Sequence, residues 1–329
     1  MKNEMNISLK ERVDALEREI NGEKLQAEML RKAKQYRKDY RGYLRNAEIT
    51  DSLKVGKESE GGYLVPDEME EGLVEALEQN NVIRKLSTVV STNAPRKVDT
   101  YVKGPTGYWV DEGGPITFSD AEFYQVVLDA HKCGAMMGVT EELLEDSGFD
   151  IEKYIIEELG ECVGDKEEEA FVNGNGTTMP RGFLLDAEVG AEANELSGDA
   201  LITLQSSVRG KIGMNAVWVM SEEAEQQLRK IKNFNGRPLW QPDMTKGAPD
   251  RIFGKPVYVC KAMPKVLPGN CPIAYGDFSY YWIGERGKRS IKRLGERYAD
   301  RGIVAYRYFH RVDGKLILPD AIKTLKIAA

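Results

Sequence analysis

The chain holds two histidines, His131 and His310, and both fall in strand-like runs. His131 stands two positions before Cys133, so strand alternation would put both on one face. A His-x-Cys pair supplies two ligands, short of the four that hold a structural zinc. The stretch Gly284-Glu285-Arg286-Gly287-Lys288-Arg289 has neither the glycine spacing of a phosphate loop nor its hydroxyl residue after the lysine. Asn173-Gly174-Asn175-Gly176 has Met179 where a dinucleotide fingerprint needs its third glycine, and it follows a helix rather than a strand. The sequence also lacks a Gly-x-Ser-x-Gly elbow. Thirteen carboxylates between Glu141 and Glu169, against Lys153 and Lys166, could be taken for acid/base pairs. They read better as solvated or interface charge. The expectation is no catalytic residue, no metal and no cofactor.

Composition points the same way. With 41% hydrophobic and 30% charged residues over 329 positions, the chain is an ordinary globular one of roughly two domains. A net charge of −7 and pI near 5.3 argue against a protein dominated by nucleic-acid affinity. Cys133, Cys162, Cys260 and Cys271 are scattered without a Cys-x-x-Cys and read as reduced thiols of a cytosolic protein. No apolar run is long enough for a membrane span, and the charged start does not resemble a signal peptide.

Residues 1–50 differ in kind from the rest. Ser8 and Glu11 form a capping box. Leu9, Val13, Leu16, Ile20, Ala27 and Leu30 mark a narrow apolar stripe, interrupted at Gly22. From Arg31 to Arg45 the face turns basic. This predicts either a solvated helix or a detachable helical appendage. Residues 46–62 read as a polar, glycine-punctuated linker. A helix then starts near Pro66, with Leu73, Val74 and Leu77 inward and Asn80-Asn81 at its end. Strands are expected over Val82–Ser91 and Arg96–Val102.

The most informative stretch runs from Lys103 to Phe183. Glycines surround Tyr108-Trp109, a β-rich run spans Phe123–Val139, and an acidic helix extends to about Val172. Ile151, Ile155, Leu159, Val163 and Ala170 give the helix one apolar face. Gly160 and Gly164, one turn apart, would allow a bend or a close crossing. Glu167, Glu168 and Glu169 sit where the helix dipole disfavours negative charge, so a basic partner is expected. The run Arg286, Lys288, Arg289, Lys292, Arg293 and Arg297 is the candidate. A long hairpin beside a long helix suits reaching onto a neighbour, which points to assembly. Helices and strands alternate over 198–284, and strands with a turn at Asp313-Gly314 follow over 301–327. The class is α+β.

Read in order, these motifs resemble the major capsid proteins of tailed double-stranded DNA bacteriophages, the Hong Kong 97 type fold. The residues that carry the resemblance are Gly61-Gly62-Tyr63-Leu64-Val65-Pro66, Trp109-Val110-Asp111-Glu112-Gly113 and Val139 to Ser147. They continue with Glu168 to Gly176, Pro180-Arg181-Gly182-Phe183, His310 to Lys315 and Pro319-Asp320-Ala321. The resemblance implies a scaffolding-like segment over 1–50, open to removal by a phage protease, and a linker and N-terminal arm over 51–65. It implies a peripheral domain over 66–197 with an extended loop at about 103–130 and a spine helix at about 149–172. An axial domain over 198–284 and closing strands of the peripheral domain over 285–329 complete it.

The function so implied is self-assembly of pentamers and hexamers into the icosahedral head. That head would enclose double-stranded DNA without sequence-specific binding. The partners would be other copies, a portal and a maturation protease, with no membrane. The protein would belong to the virion and assemble in the host bacterial cytoplasm, from an active phage or a prophage. Subunit-interface candidates are Tyr108, Trp109, Asp111, Glu112, Phe118, Glu167, Glu168, Arg286, Arg289 and Arg293. Some members of the family weld their shells by a Lys–Asn isopeptide bond assisted by a Glu. Here the loop offers Gly113-Gly114-Pro115 without lysine, and Gly302 and Phe309 stand at the other two positions, so no cross-link is expected. The alternatives are an encapsulin-like compartment, which shares the fold, and a soluble α+β enzyme.

Overall fold

The computed structural model describes residues 26, 28–46, 49–51, 53, 63–64, 67–103, 122–145, 150–208, 210, 212–232, 236, 238–242 and 249–328. The apolar stripe expected before residue 26, most of the expected linker, and Tyr108, Trp109, Asp111, Glu112 and Phe118 lie outside them. In chain order the first elements are helix α1 (28–46), strand β1 (Tyr63–Leu64), α2 (Asp67–Asn80) and α3 (Val82–Leu86). Strands β2 (Thr88–Thr92), β3 (Arg96–Lys103), β4 (Glu122–Leu128) and β5 (His131–Thr140) follow, then α4 (Glu141–Glu145) and α5 (Ile151–Asn173).

Next come α6 (Phe183–Asp186), β6 (Glu188–Ala193), α7 (Gly198–Ser207), a one-turn helix (Ile212–Asn215), β7 (Val217–Met220) and α8 (Glu222–Leu228). The remaining strands are β8 (Trp240–Gln241), β9 (Arg251–Ile252), β10 (Lys255–Val259), β11 (Ile273–Gly276), β12 (Tyr281–Tyr298), β13 (Ile303–Leu316) and β14 (Ile322–Ile327), with single 3-10 turns before β12, β13 and β14. One sheet has the order β1-β12-β13-β5 with β2 also on β12; another runs β6-β14-β11-β7-β10-β9-β8; β3 and β4 form a two-stranded ribbon.

The chain divides into two units. The first gathers Met1–Gly72, Met136–Ile156 and Arg289–Tyr308. It holds the turn between β12 and β13, where Gly302 takes φ +62° after a single 3-10 turn, a conformation that favours glycine. The Gly302 carbonyl accepts the Glu141 amide at 3.0 Å, fixing the start of α4. In α1, Tyr40, Tyr43 and Leu44 are buried. The sequence reading left residues 1–50 as either a solvated helix or a detachable appendage, whereas Tyr40, Tyr43 and Leu44 near the end of α1 are buried.

The second unit gathers Leu73–Ala135, Glu157–Lys288 and Phe309–Ala329. Its seven-stranded sheet is built on β7, which pairs parallel to β10 and antiparallel to β11. Trp218 and Tyr275 hold ring centroids 4.3 Å apart at its centre, with Leu201, Leu204, Leu228 and Ile252 around them. Strand β14 lies between β6 and β11. Its run Ile-Lys-Thr-Leu-Lys-Ile is buried at five of six positions, as an interior strand requires.

Two local expectations are corrected. Residues 82–86 are helical rather than extended, because the Asn81 side chain accepts the Arg84 amide at 2.8 Å and caps a short helix. Strand begins only at Thr88. Asp313-Gly314 is not a turn but the interior of β13. Its glycine is required by packing: a Cβ there would lie 2.3 Å from the Tyr281 hydroxyl oxygen.

Candidate assembly interface

The β3–β4 ribbon is anchored at its base. Val98, Val126, Leu128 and Ile317 form a small buried cluster against Trp282. Antiparallel register pairs Arg96 with Leu128 and Val98 with Val126. The Lys315 ammonium donates to the Val127 carbonyl at 2.6 Å, and Arg96 lies over the Trp282 ring at 5.9 Å. Arg286, one of the interface candidates, is 3.4 Å from Asp129, beside the β4–β5 junction. That junction is held by Asp313, whose buried carboxylate accepts the Asp129 amide at 2.7 Å.

The two glycines of α5 make a close crossing. A Cβ on Gly160 would lie 2.7 Å from the Ala76 Cβ, and one on Gly164 would lie 3.0 Å from the Leu77 carbonyl oxygen, both in α2. The buried Asn81 amide donates to the Gly164 carbonyl at 3.3 Å. One residue therefore caps α3 and ties it to α5.

Glu167 and Glu168 are not placed to meet a neighbouring subunit. They are 1% and 3% exposed and are partnered within the second unit. Glu167 sits 3.2 Å from the Arg84 guanidinium and is hydrogen-bonded to the His310 Nε2. Arg84 also pairs with Glu285. The groups that answer Glu167 at the acidic end of α5 are thus the Arg84 guanidinium and the His310 imidazole, rather than the 286–297 run. Physically, a carboxylate without solvent must find its counter-charge at contact distance. Glu168 accepts the Val82 amide at 2.8 Å, and burial raises its pKa.

Arg293 belongs to the first unit, where its backbone amide donates to the Tyr43 hydroxyl at 2.8 Å. Arg289 is half-buried in the same unit. Sequence reasoning missed Arg84, Asn81 and Asp313. Arg84 had a visible signal: of the two adjacent cations in the otherwise apolar run Val82-Ile83-Arg84-Lys85-Leu86, whichever one is buried has to be partnered.

Chemically the second unit offers little to a substrate. A 410 Å³ cavity is lined by His131, Cys133, Lys166, Glu167 and Met179 among others. Burial, then the Glu167 charge, pushes the Cys133 thiol up to about 11, which keeps it protonated and a poor nucleophile. Glu167 is already engaged by Arg84 and His310. This is the chemistry of a fixed joint rather than a reacting centre.

A family model described as the phage capsid family matches residues 61–327. The chain belongs to that family. A curated relative, the major capsid protein of Klebsiella oxytoca phage phiKO2, is 24% identical over 251 residues, which is 70% of this chain. The matched part spans 57% of that relative's length. Among solved structures, the capsid of a native GTA particle computed with C5 symmetry is 28% identical with a TM-score of 0.64, covering 75% of this chain and 90% of the other. A chain from Microbacterium phage Oxtober96 shares the fold at 16% identity and a TM-score of 0.58, covering 75% and 91%. This phage capsid family member therefore has the α+β capsid fold of the Hong Kong 97 type expected from its sequence.

Proposed function

We propose that the chain is the shell-forming subunit of a phage head, a structural protein that assembles with copies of itself into pentamers and hexamers and resides in the virion. The observation that carries this reading is the family match over 61–327, supported by the likeness to the GTA capsid chain. The physics agrees with a structural role. A closed shell repeats heterologous contacts many times, and projections that reach a neighbour add interface without enlarging each core.

The anchored ribbon is such a projection, and Tyr108, Trp109, Asp111, Glu112 and Phe118 beyond its strands remain the proposed contacts, with Arg286, Arg289 and Arg293. Packaged double-stranded DNA would be enclosed by a wall whose residues after 50 carry a net −10, which disfavours tight adsorption of the genome. A portal and a maturation protease are the proposed further partners, with assembly in the host cytoplasm. The test is negative-stain electron microscopy of the full chain after expression alone. Closed particles or capsomers are expected. A protein that stays a monomer or small oligomer under all conditions overturns the reading.

A further inference from the structure

Helix α1 changes character along its length. From residue 28 to 35 every position is exposed, including Met29 at 63% and Leu30 at 55%. The contacts there are local ones, such as Lys32 with Glu28 and Gln35 with Asp39. Such contacts hold a helix weakly and hold nothing else. From Tyr36 onward the same helix packs into the interior of the first unit. Tyr40 and Leu44 are fully buried, Tyr43 nearly so, and Leu53 follows them into the interior.

Three hydrogen bonds tie this half to distant segments. The Arg45 Nε donates to the Leu144 carbonyl at 2.9 Å, and the Arg293 amide donates to the Tyr43 hydroxyl at 2.8 Å. The Tyr306 hydroxyl donates to the Leu44 carbonyl. These bonds reach α4, β12 and β13, all within the first unit.

We infer that α1 is two elements in one: the half before Tyr36 is separable from the subunit, while the half from Tyr36 to Asn46 is a permanent part of the first unit, held through the buried Tyr40, Tyr43 and Leu44, with Leu53 beside them in the core. Any processing that trims the amino-terminal segment then stops short of Tyr36. A cut further on leaves its product docked rather than released. Withdrawing residues 36–46 would uncover the apolar surface that Tyr40 and Leu44 cover, and would strip Tyr306 and the Leu144 carbonyl of buried partners. The boundary is a property of the folded subunit. It is independent of the shell reading, whose own readout is particle formation.

Two experiments on the full chain test it. In the first, brief trypsin treatment is followed by mass spectrometry of the new amino termini. Cuts at Arg31, Lys32 and Lys34 are expected at least about 100-fold faster than cuts at Arg41 and Arg45, because the latter require local opening of the unit. Equal rates at both sets overturn the inference. In the second, a specific protease site is inserted either between Gln35 and Tyr36 or between Asn46 and Ala47. Cutting at the first should free the peptide on size exclusion and leave the near-ultraviolet circular dichroism unchanged. Cutting at the second should leave the peptide bound to the body. Free elution of the peptide after the second cut refutes the inference, even where particles still form.

Discussion

The guanidinium of Arg84 lies 3.2 Å from the carboxylate of Glu167, and both side chains are sealed from solvent. The pair joins α3 to the acidic end of α5, and Glu285 and His310 complete it. Replacing Arg84 by Met should leave Glu167 buried, and Glu285 half-buried, without the cation they share. The expected cost is about 3–5 kcal/mol, the range for breaking a buried pair. Chemical denaturation of Arg84→Met beside Arg84→Met/Glu167→Gln measures it. The double variant should recover part of the loss, and an Arg84→Met chain as stable as its parent would contradict the assignment.

The crossing of α5 over α2 predicts opposite outcomes for two glycines. At Gly72 a Cβ would meet nothing within 4 Å. Gly72→Ala should therefore stabilise by up to about 1 kcal/mol through helix propensity alone. Gly160→Ala brings the same propensity gain but places its methyl 2.7 Å from that of Ala76. Overpacking costs roughly 1–3 kcal/mol, so the net change should be destabilising. Thermal melts of the two variants, compared side by side, check the difference in sign.

Glu168 should give the fold a pH dependence. Burial is the main reason its pKa stands above the ordinary carboxylate value, outweighing the Val82 amide that stabilises the charge. The folded state thus holds this proton to a higher pH than the unfolded chain does. Its favourable contribution is complete below the unfolded pKa and is lost as pH rises through the folded one. Glu168→Gln removes the loss while keeping an oxygen for the Val82 amide. The variant should melt above the parent at neutral pH, and the gap should close below about pH 4, where the unfolded carboxyl is protonated. A gap that stays constant from neutral to acid would rule this out.

Thiol reactivity separates two cysteines. Cys162 is exposed on α5, whereas Cys133 is half-buried with its pKa pushed up to about 11. At pH 8 roughly one in a thousand Cys133 side chains is thiolate. Iodoacetamide should label Cys162 first, with Cys133 following only on unfolding. Peptide mapping of the alkylated native protein reads this directly, and labelling of both at one rate would disprove it.

Much of the fold was legible because it is local. The stripe Ile151, Ile155, Leu159 and Val163 announces α5, and Ala216-Val217-Trp218-Val219-Met220 announces β7. What escaped was set by distance in the chain. Nothing near residues 82–86 says that Asn81 will find the Gly164 carbonyl and cap a helix there. Nothing near Asp313-Gly314 says that Tyr281 will occupy the space of a side chain. The acidic end of α5 correctly demanded cations, but the basic run at 286–297 was the conspicuous supplier and Arg84 the actual one. Charge abundance along a sequence does not reveal which cation is desolvated beside the carboxylate.

The position of β14 bears on how the subunit is made. Residues 322–327 fill the slot between β6 and β11, whose partners were synthesised long before. A ribosome that stalls short of Lys323 therefore releases a polypeptide whose largest sheet has a missing rung and two unpaired flanks. Truncation before Lys323 is thus expected to destabilise the second unit, which cannot complete its sheet until the last strand is made.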